Sequence, residues 1–237
     1  MESDLAHKTV GNSGEIRLLC GVRSVRGASL LHPPPCMIRF MALPVEKRRY
    51  TVAEYLRLEQ DAQEKHEYRD GEILLMAGGS ADHSLITANV IGELRNQPKG
   101  KPCRVYDSNL RVRISRTVLY TYPDASVICG PRETRDPSGQ TLTNPRLIVE
   151  VLSDSTEAYD RGEKFDRYRQ LDSLEEYVLI SQNTSRIEVF LRQAEESWLF
   201  SSFSGPAAVA QLRSISASLP LSEVYAGIQF AQVPATA

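Results

Sequence analysis

The 237-residue sequence has no run of eighteen apolar residues, so no segment is long enough to span a membrane as a helix. It also lacks the glycine-rich loops G-x-G-x-x-G and G-x-x-x-x-G-K-S/T, which counts against nucleotide cofactors. Neither a G-x-S-x-G turn nor an H-E-x-x-H helix is present. These absences direct attention to single polar residues within apolar strands.

Cysteine is scarce. The chain has four cysteines, Cys20, Cys36, Cys103 and Cys129, and none of them forms a C-x-x-C pair. This scatter predicts neither a zinc site nor a disulfide framework, and it favours a reducing compartment. We therefore expect a cytoplasmic protein.

A large excess of charge of either sign is also missing. Lys and Arg total 28 against 30 Asp and Glu, for a net charge of -2. A polycation is thereby excluded, and any contact with nucleic acid has to come from a local basic patch. Hydrophobic residues at 41% and charged residues at 24% are ordinary for a globular protein and exclude disorder of the whole chain.

The first 49 residues differ from the rest of the chain. They hold 8 Lys and Arg against 4 Asp and Glu, and they include a triple proline at 33–35. No helical or strand period is sustained there. Two interpretations remain open: a disordered extension, or an over-called start with Met41 as the real first residue. In either case residues 50–228 form the predicted domain and 229–237 a tail.

The periodicity of the predicted domain indicates an α/β protein with a mixed sheet flanked by helices. A capping box at Thr51 and Glu54 opens the first predicted helix. The predicted helices cover residues 51–63, 82–96 and 163–171, with a terminal helical turn at 219–225. The predicted strands cover residues 72–77, 103–106, 110–114, 125–129, 146–152, 176–181, 186–191 and 198–203.

Glu150 is the strongest anomaly of the sequence, because it interrupts the aliphatic run 147–152. Such a run typically lies inside a sheet that is covered on both faces. Burying an unpaired carboxylate costs several kcal/mol, so a cation is expected beside it. A functional role is favoured over the alternative, a Glu on a wet edge strand or paired with an Arg.

Asp124 is the second candidate, and it follows Pro123 at the entry of the predicted strand 125–129. A Pro-Asp pair by itself is common in turns. Adjacent strands would nevertheless bring Asp124 and Glu150 to a shared point. Carboxylate oxygens with open water positions suit Mg²⁺ or Mn²⁺.

Weaker candidates lie around these two carboxylates. Lys164 is an i,i+4 neighbour of both Asp160 and Tyr168 on a helix that follows the Glu150 strand, although a solvated helix face explains Lys164 alone equally well. Glu67 and His83 lie upstream, where a pre-turn carboxylate and a helix-capping His are the plain alternatives.

A modest basic patch lies between residues 99 and 116. Arg111 and Arg113 share one face of the predicted strand 110–114, which suits contacts with nucleic-acid phosphates. The solvated face of an edge strand has the same pattern.

Together these pieces resemble the Uma-two family, a bacterial branch of the PD-(D/E)xK nuclease superfamily whose members are classed as restriction endonucleases. The resemblance covers roughly residues 50–228. It is carried by residues 67–73, Ser80 and His83, 123–124, 148–153, Asp160, Lys164, Tyr168, 176–180 and 219–225.

The resemblance implies a restriction-endonuclease-like core, Mg²⁺-dependent cleavage of DNA phosphodiester bonds and a homodimer. Asp124 and Glu150 match the metal ligands, and Glu67 matches an upstream acidic position. The superfamily pattern has a Lys two residues after the Glu, where this chain has Leu152. Lys164 matches the cation that the family supplies from the next helix, with Asp160 to orient it.

Two alternatives to the endonuclease remain open. The chain could be a catalytically degenerate nuclease-like module that binds nucleic acid or a protein partner. Leu152 and the balance of 20 basic against 26 acidic residues after position 49 keep this alternative open. The other is a metal-carboxylate hydrolase that acts on a different phosphoester.

Overall fold

Residues 48–76, 78–97, 102–136 and 138–230 are described by the structure, which is a computed structural model. The described residues all belong to one unit of the chain, Lys47–Ala237. The two interpretations of residues 1–49 therefore fall almost entirely outside the described residues. Most of the predicted tail, from residue 231 onward, lies outside them as well.

The strands are short, and most have between three and seven residues. In chain order they are β1 (His66–Arg69), β2 (Glu72–Leu75), β3 (Cys103–Asp107), β4 (Arg111–Ile114), β5 (Leu119–Thr121), β6 (Ala125–Cys129), β7 (Thr141–Leu142), β8 (Leu147–Leu152), β9 (Glu176–Ser181), β10 (Arg186–Arg192), β11 (Trp198–Ser204), β12 (Val209–Leu212) and β13 (Ala217–Pro220).

Helices occupy a smaller part of the described chain. They are α1 (Val52–Asp61), α2 (Ala81–Asn96), α3 (Glu157–Tyr159), α4 (Phe165–Tyr168) and α5 (Leu221–Val224). A π-helical turn, Asp160–Lys164, joins α3 to α4. The capping box predicted for the first helix is confirmed, since Thr51 and Glu54 bond each other's backbone N–H.

A mixed six-stranded sheet carries the fold, with the strand order β11-β10-β9-β8-β6-β3. Strands β8 and β9 run parallel, and the other neighbouring pairs run antiparallel. The mixed sheet flanked by helices confirms the predicted fold class. Every residue of β8 is buried, as its aliphatic run predicts.

The two faces of β8 are covered by different elements. Leu147, Val149 and Val151 pack with Ile86, Val90 and Leu94, which form the apolar stripe of α2. Ile148 and Leu152 pack on the other face with Tyr168, Leu171 and Tyr177. Because side chains alternate along a strand, Glu150 points toward this second face, the one covered by α4.

A second sheet packs beside this face, with the strand order β2-β1-β5-β4-β7. Its strands have two to four residues, and β1, β5 and β7 were missed by the sequence analysis. A separate antiparallel pair, β12 and β13, covers the α2 side of the six-stranded sheet. Strands this short leave little periodic signal in a sequence.

Two predicted boundaries were wrong. The helix predicted over 163–171 begins earlier, at Glu157, because the π turn continues α3 directly into α4. The helical turn predicted over 219–225 is strand β13 up to Pro220, followed by α5. Pro220 caps α5 in extended backbone, which a helical pattern alone does not indicate.

The prediction of unpaired cysteines is also wrong for one pair. Cys103 and Cys129 are register partners on the antiparallel strands β3 and β6, and a disulfide joins them. They lie 26 residues apart in the sequence, so their spacing gave no sign of contact. The expected reducing compartment was inferred from scattered cysteines, and the disulfide weakens that inference.

Within the described ranges, no helix combines the length and the apolar character needed to cross a membrane.

Candidate active site

Asp124 stands at the entry of β6, one residue before Ala125. Ala125 pairs with Val149 of β8, so Asp124 and Glu150 lie at the same end of two paired strands, as expected. The Asp124 carboxylate Oδ2 accepts a hydrogen bond of 2.7 Å from the backbone N–H of Val151. This bond fixes Asp124 against the strand that carries Glu150.

Glu150 is almost fully buried, with 4% of its surface exposed. Its Oε1 accepts a hydrogen bond of 2.8 Å from the Tyr168 hydroxyl and lies 2.8 Å from the Lys164 ammonium. Burial, helped by Asp160 and Asp124, raises the pKa of Glu150 to about 8 against the opposing effect of Lys164. Both contacts reach Oε1, and no donor to Oε2 is found among the described residues.

Lys164 reaches Glu150 from the end of the π turn. The turn directs both Asp160 and Lys164 inward, and the Lys164 ammonium lies 3.1 Å from Asp160 Oδ1. Burial by itself lowers the pKa of Lys164, but Glu150 and Asp160 raise it well above its usual value. Lys164 is therefore a buried, charged ammonium between two carboxylates. π turns of this kind are frequent at functional sites.

Glu67 approaches the same group from the second sheet. It lies on β1 and is 8% exposed. Its Oε1 accepts a hydrogen bond of 3.0 Å from the Tyr159 hydroxyl. The Tyr159 ring centre lies 5.9 Å from the Lys164 ammonium, and Glu67 contributes to the raised pKa of Lys164. Glu67 therefore adds a further carboxylate around one amine.

His83 meets Asp124 from the first turn of α2. The Ser80 hydroxyl caps this helix and accepts a hydrogen bond of 3.1 Å from the His83 N–H. The His83 Nε2 lies 3.3 Å from Asp124 Oδ2. The hydrogen bond to Asp124 raises the pKa of His83 against the effect of burial, and the Val151 backbone raises it further.

The structure thus brings together the seven residues that the sequence singled out around the two carboxylates. They are Glu67, His83, Asp124, Glu150, Asp160, Lys164 and Tyr168. They contact one another in one region of the fold, while the shared cation and the role of each residue stay predictions.

Two tyrosines of this site were missed. Tyr159 bonds Glu67, and the Tyr177 hydroxyl donates a hydrogen bond of 3.0 Å to the Asp160 backbone carbonyl. Tyr177 lies on β9, next to β8, in a strand that otherwise resembles ordinary core. A single tyrosine in an apolar strand gives no local signal of such a contact.

Arg111 does not lie on a solvated strand face, as the basic patch had suggested. It is 5% exposed, and its Nε donates a hydrogen bond of 3.3 Å to the Thr141 hydroxyl. Its guanidinium lies 5.7 Å and 5.9 Å from the ring centres of Tyr55 and Tyr122. Arg111 is therefore enclosed and unavailable to a nucleic-acid backbone. The prediction failed because tyrosines cover the face of β4 that carries Arg111.

Arg113 is only partly buried, and it lies 5.6 Å from the ring centre of Tyr120. Of the two arginines, Arg113 alone keeps some exposure for a phosphate contact.

The charges of the site are unbalanced. Glu150, Asp160 and Glu67 bring three carboxylates around the Lys164 ammonium, and Asp124 adds a fourth beside His83. Asp160 Oδ1 is buried without a hydrogen-bond partner, although Lys164 lies near it. A divalent cation fits this donor set in charge and in oxygen chemistry.

The site is nonetheless not a preassembled metal centre. Across residues 48–76, 78–97, 102–136 and 138–230, no three His, Cys, Asp or Glu side chains are grouped closely enough to hold an ion. Glu150 Oε1 is instead occupied by Lys164 and Tyr168.

Comparisons with known proteins show the family of this chain. The model of the Uma2 family, described as "Putative restriction endonuclease", matches residues 52–222. An uncharacterized protein of Synechocystis sp. is 40% identical over 177 residues, which cover 75% of this chain and 92% of the relative. A second one from the same organism is 37% identical over 155 residues, or 65% of this chain and 88% of the relative.

One solved structure has a similar fold. It is a crystal structure of a "putative nuclease belonging to DUF820" from Anabaena variabilis, with a TM-score of 0.62 and 20% sequence identity. The similarity covers 76% of this chain and 99% of that one. At this identity the likeness establishes the fold alone.

Proposed function

The chain belongs to the Uma2 family, and from this premise we propose that it is a nuclease that hydrolyses DNA phosphodiester bonds with a divalent cation, Mg²⁺ or Mn²⁺. Asp124 and Glu150 are the proposed metal ligands, and Lys164 is the proposed catalytic amine. The buried Glu150–Lys164 contact of 2.8 Å beside Asp124 is the observation that carries this proposal.

The cost of burial supports a functional origin of this contact. Moving a carboxylate and an ammonium out of water costs several kcal/mol for each ion, and mutual attraction often fails to repay it. Asp160 adds a second carboxylate at 3.1 Å from the same amine. An apolar pair of similar volume would stabilise this core at least as well. A cluster of this kind is more typical of an active site than of structural packing.

The side chains suit phosphodiester hydrolysis. A bound divalent cation supplies an activated water and neutralises charge on the phosphoryl oxygens. Lys164 keeps its proton and places positive charge where the transition state gains negative charge. Asp160 and Glu150 hold the ammonium from two sides and fix its direction. Lys164 thereby takes the place of the motif lysine that is missing at Leu152.

A non-catalytic alternative has one observation in its favour. The described residues hold no preassembled metal site, and Lys164 lies on the Glu150 oxygen Oε1 that a ligand would use. A degenerate nuclease-like module that binds nucleic acid or a protein partner would have the same geometry.

Plasmid nicking by the full chain tests the proposal. We expect nicking and linearisation with Mg²⁺ or Mn²⁺, and loss of both in Asp124→Asn, Glu150→Gln and Lys164→Met. Glu175→Gln is the matched control, because Glu175 pairs with Arg146 far from the site and is 42% exposed. DNA retardation without cleavage would favour the binding module. Turnover of a small phosphodiester without DNA cleavage would favour a different phosphoester substrate.

We also propose that the protein cuts duplex DNA as a homodimer, because two strands require two active sites. Light scattering of the chain with and without a short duplex tests this assembly. A monomer in both conditions that still linearises plasmid would contradict it.

A further inference from the structure

We propose that β11 is the contact surface of a homodimer, in which it pairs antiparallel with β11 of a second copy of this chain. The inference rests on the dimer proposed above and names its interface. A seven-residue edge strand that exposes both Leu199 and Phe200 carries it.

Strand β11 is an edge of the six-stranded sheet. It pairs with β10 along its whole length, from Trp198 opposite Arg192 to Ser204 opposite Arg186. On its other side, no strand of the described residues pairs with it. An edge strand presents a row of backbone N–H and C=O groups that can pair with a strand of another chain. The length of β11 therefore offers a complete strand for such pairing.

The two edges of this sheet differ in charge. The opposite edge strand, β3, carries Arg104 and Asp107, and both are exposed. Charged side chains on an edge discourage pairing with another chain. The segment 197–212, which contains β11, has no charged residue. Leu199 is 46% exposed and Phe200 is 52% exposed. The β11 edge is therefore apolar, and a second copy of it brings no like charge against the first.

The side chains of β11 are complementary in size to those of its own copy. A two-fold axis through Ser201 places Phe200 opposite Ser202 of the second copy. The same axis places Trp198 opposite Ser204 of the second copy. Each large aromatic side chain thus meets a small one on the same face of the sheet, as favourable cross-strand pairs require. Ser202 and Ser204 are exposed, so their face has room for the incoming rings.

The other face of the proposed pair is apolar on both sides of the axis. Leu199 lies opposite Phe203 of the second copy, and this apolar pair occurs twice because both copies use the same strand. Ser201 meets its own counterpart at the axis. A contact of this kind closes on itself, so it joins two six-stranded sheets into one and produces a dimer rather than a filament.

Disulfide trapping of the full chain locates the axis. Opposite residues of antiparallel strands have Cα atoms about 4.5–5.5 Å apart, which a disulfide can bridge. We expect Ser201→Cys to form a covalent dimer under mild oxidation. Ser204→Cys is the matched control, because its two thiols would lie roughly 20 Å apart along the same pair of strands. Cys20 and Cys36 are replaced by Ser in both proteins, and a gel without reductant separates monomer from dimer.

A charge on the edge tests the same surface without a cross-link. Ser202→Lys places an ammonium at an exposed position, opposite Phe200 of the second copy. We expect the Kd of the dimer, measured by light scattering over a concentration series, to rise at least about tenfold. Gln60→Lys adds the same charge to the exposed side of α1, which packs on the second sheet, and should leave the Kd unchanged. Urea unfolding of both variants verifies that they fold.

The outcomes separate the interface from the proposed function. A dimer that persists in Ser202→Lys, or that cross-links as readily through Ser204→Cys as through Ser201→Cys, overturns the inference and leaves the proposed homodimer standing. A wild-type chain that is monomeric at every concentration overturns both, and leaves the edge to a segment of the same chain or to a different protein. Plasmid nicking by the same samples reports on the cleavage chemistry independently.

Discussion

At the scale of single residues, the site depends on few contacts with one carboxylate oxygen. Glu150 Oε1 receives both the Tyr168 hydroxyl and the Lys164 ammonium. Each donor limits the rotation of the carboxylate, so the two together decide where Oε2 points. The orientation of a proposed metal ligand is therefore set by two residues of the π turn and α4.

Removing the Tyr168 hydroxyl tests whether its bond to Glu150 orients that carboxylate for cleavage as well as stabilising the fold. We expect Tyr168→Phe to lower the free energy of unfolding by about 1–3 kcal/mol. The rate of DNA cleavage should fall at least about tenfold. Tyr68→Phe is the control, since the Tyr68 hydroxyl donates a similar bond of 2.7 Å to the Tyr50 carbonyl. Urea titrations and cleavage rates check both variants. Equal cleavage by the two would contradict a positioning role for Tyr168.

The raised pKa of Glu150 predicts a dependence of stability on pH. This pKa is about 8 in the folded protein, against an ordinary value of 4.5. The folded state therefore binds the proton more tightly than the unfolded chain does. The resulting stabilisation is complete below about pH 4.5 and is lost as the pH rises through about 8.

Urea unfolding at several pH values checks this dependence against Glu150→Gln, which cannot titrate at that position. We expect the free energy of unfolding of the wild type to fall relative to the variant between about pH 5 and pH 8. Saturating Mn²⁺ should flatten this fall, because a cation favours the ionised carboxylate. Parallel curves for the two proteins without metal would show that Glu150 titrates normally.

The burial of Glu150 was easier to predict from the sequence than the surroundings of Arg111. Glu150 stood out because burial of a carboxylate in an aliphatic strand is costly, and this argument needs no tertiary information. The prediction that Arg111 is solvated was wrong. The alternation along its strand indicated an exposed face, but Tyr55 and Tyr122, which are distant in the sequence, enclose the side chain. A partner that is distant in the sequence cannot be read from local periodicity.

At the scale of elements, the π turn matters most. Asp160–Lys164 has a wider turn than an α-helix, and its first and last residues, Asp160 and Lys164, are both buried. The sequence indicated a helix here but not the wider turn, because π and α turns share the same residue preferences. The strand β8 was predictable for the opposite reason, since its aliphatic run is long and continuous.

Deleting Gly162 should convert the π turn into a regular helical turn. The deletion makes Lys164 the i+3 instead of the i+4 neighbour of Asp160 and removes the wider turn from which its ammonium reaches Glu150. We expect the deletion variant to lose cleavage, as measured by plasmid nicking.

Gly162→Ala is the matched control, since nothing lies within 4 Å of an added Cβ at that position. It should keep cleavage and gain about 0.5–1 kcal/mol in the free energy of unfolding, because Ala favours helical backbone. Full cleavage by the deletion variant would exclude the π turn as the element that positions Lys164.

At the scale of the whole molecule, the disulfide closes one edge of the six-stranded sheet. It joins the edge strand β3 to β6, the strand that follows Asp124. The sequence could not reveal this pair, because the register of β3 and β6 depends on the complete sheet. The second sheet escaped prediction for a similar reason, as its strands are stabilised by partners far away in the chain.

Reduction of the disulfide should lower the stability of the protein. A cross-link that closes 26 residues restricts the unfolded chain by roughly 3–4 kcal/mol. We expect this loss in urea unfolding with a reductant present. The double variant Cys103→Ser and Cys129→Ser should be equally destabilised and insensitive to the reductant. An unchanged wild-type midpoint in reductant would contradict the cross-link.

The charged residues of the site are spread from position 67 to position 164, so they are synthesised at different times. Glu67 and Glu150 leave the ribosome before Lys164, the amine that offsets their charge. Until that turn is synthesised, the nascent acids repel one another and stay hydrated, so β8 has no reason to close over Glu150. Docking of the second sheet therefore waits for residue 164, and a ribosome-bound fragment that ends before it should remain open to proteases.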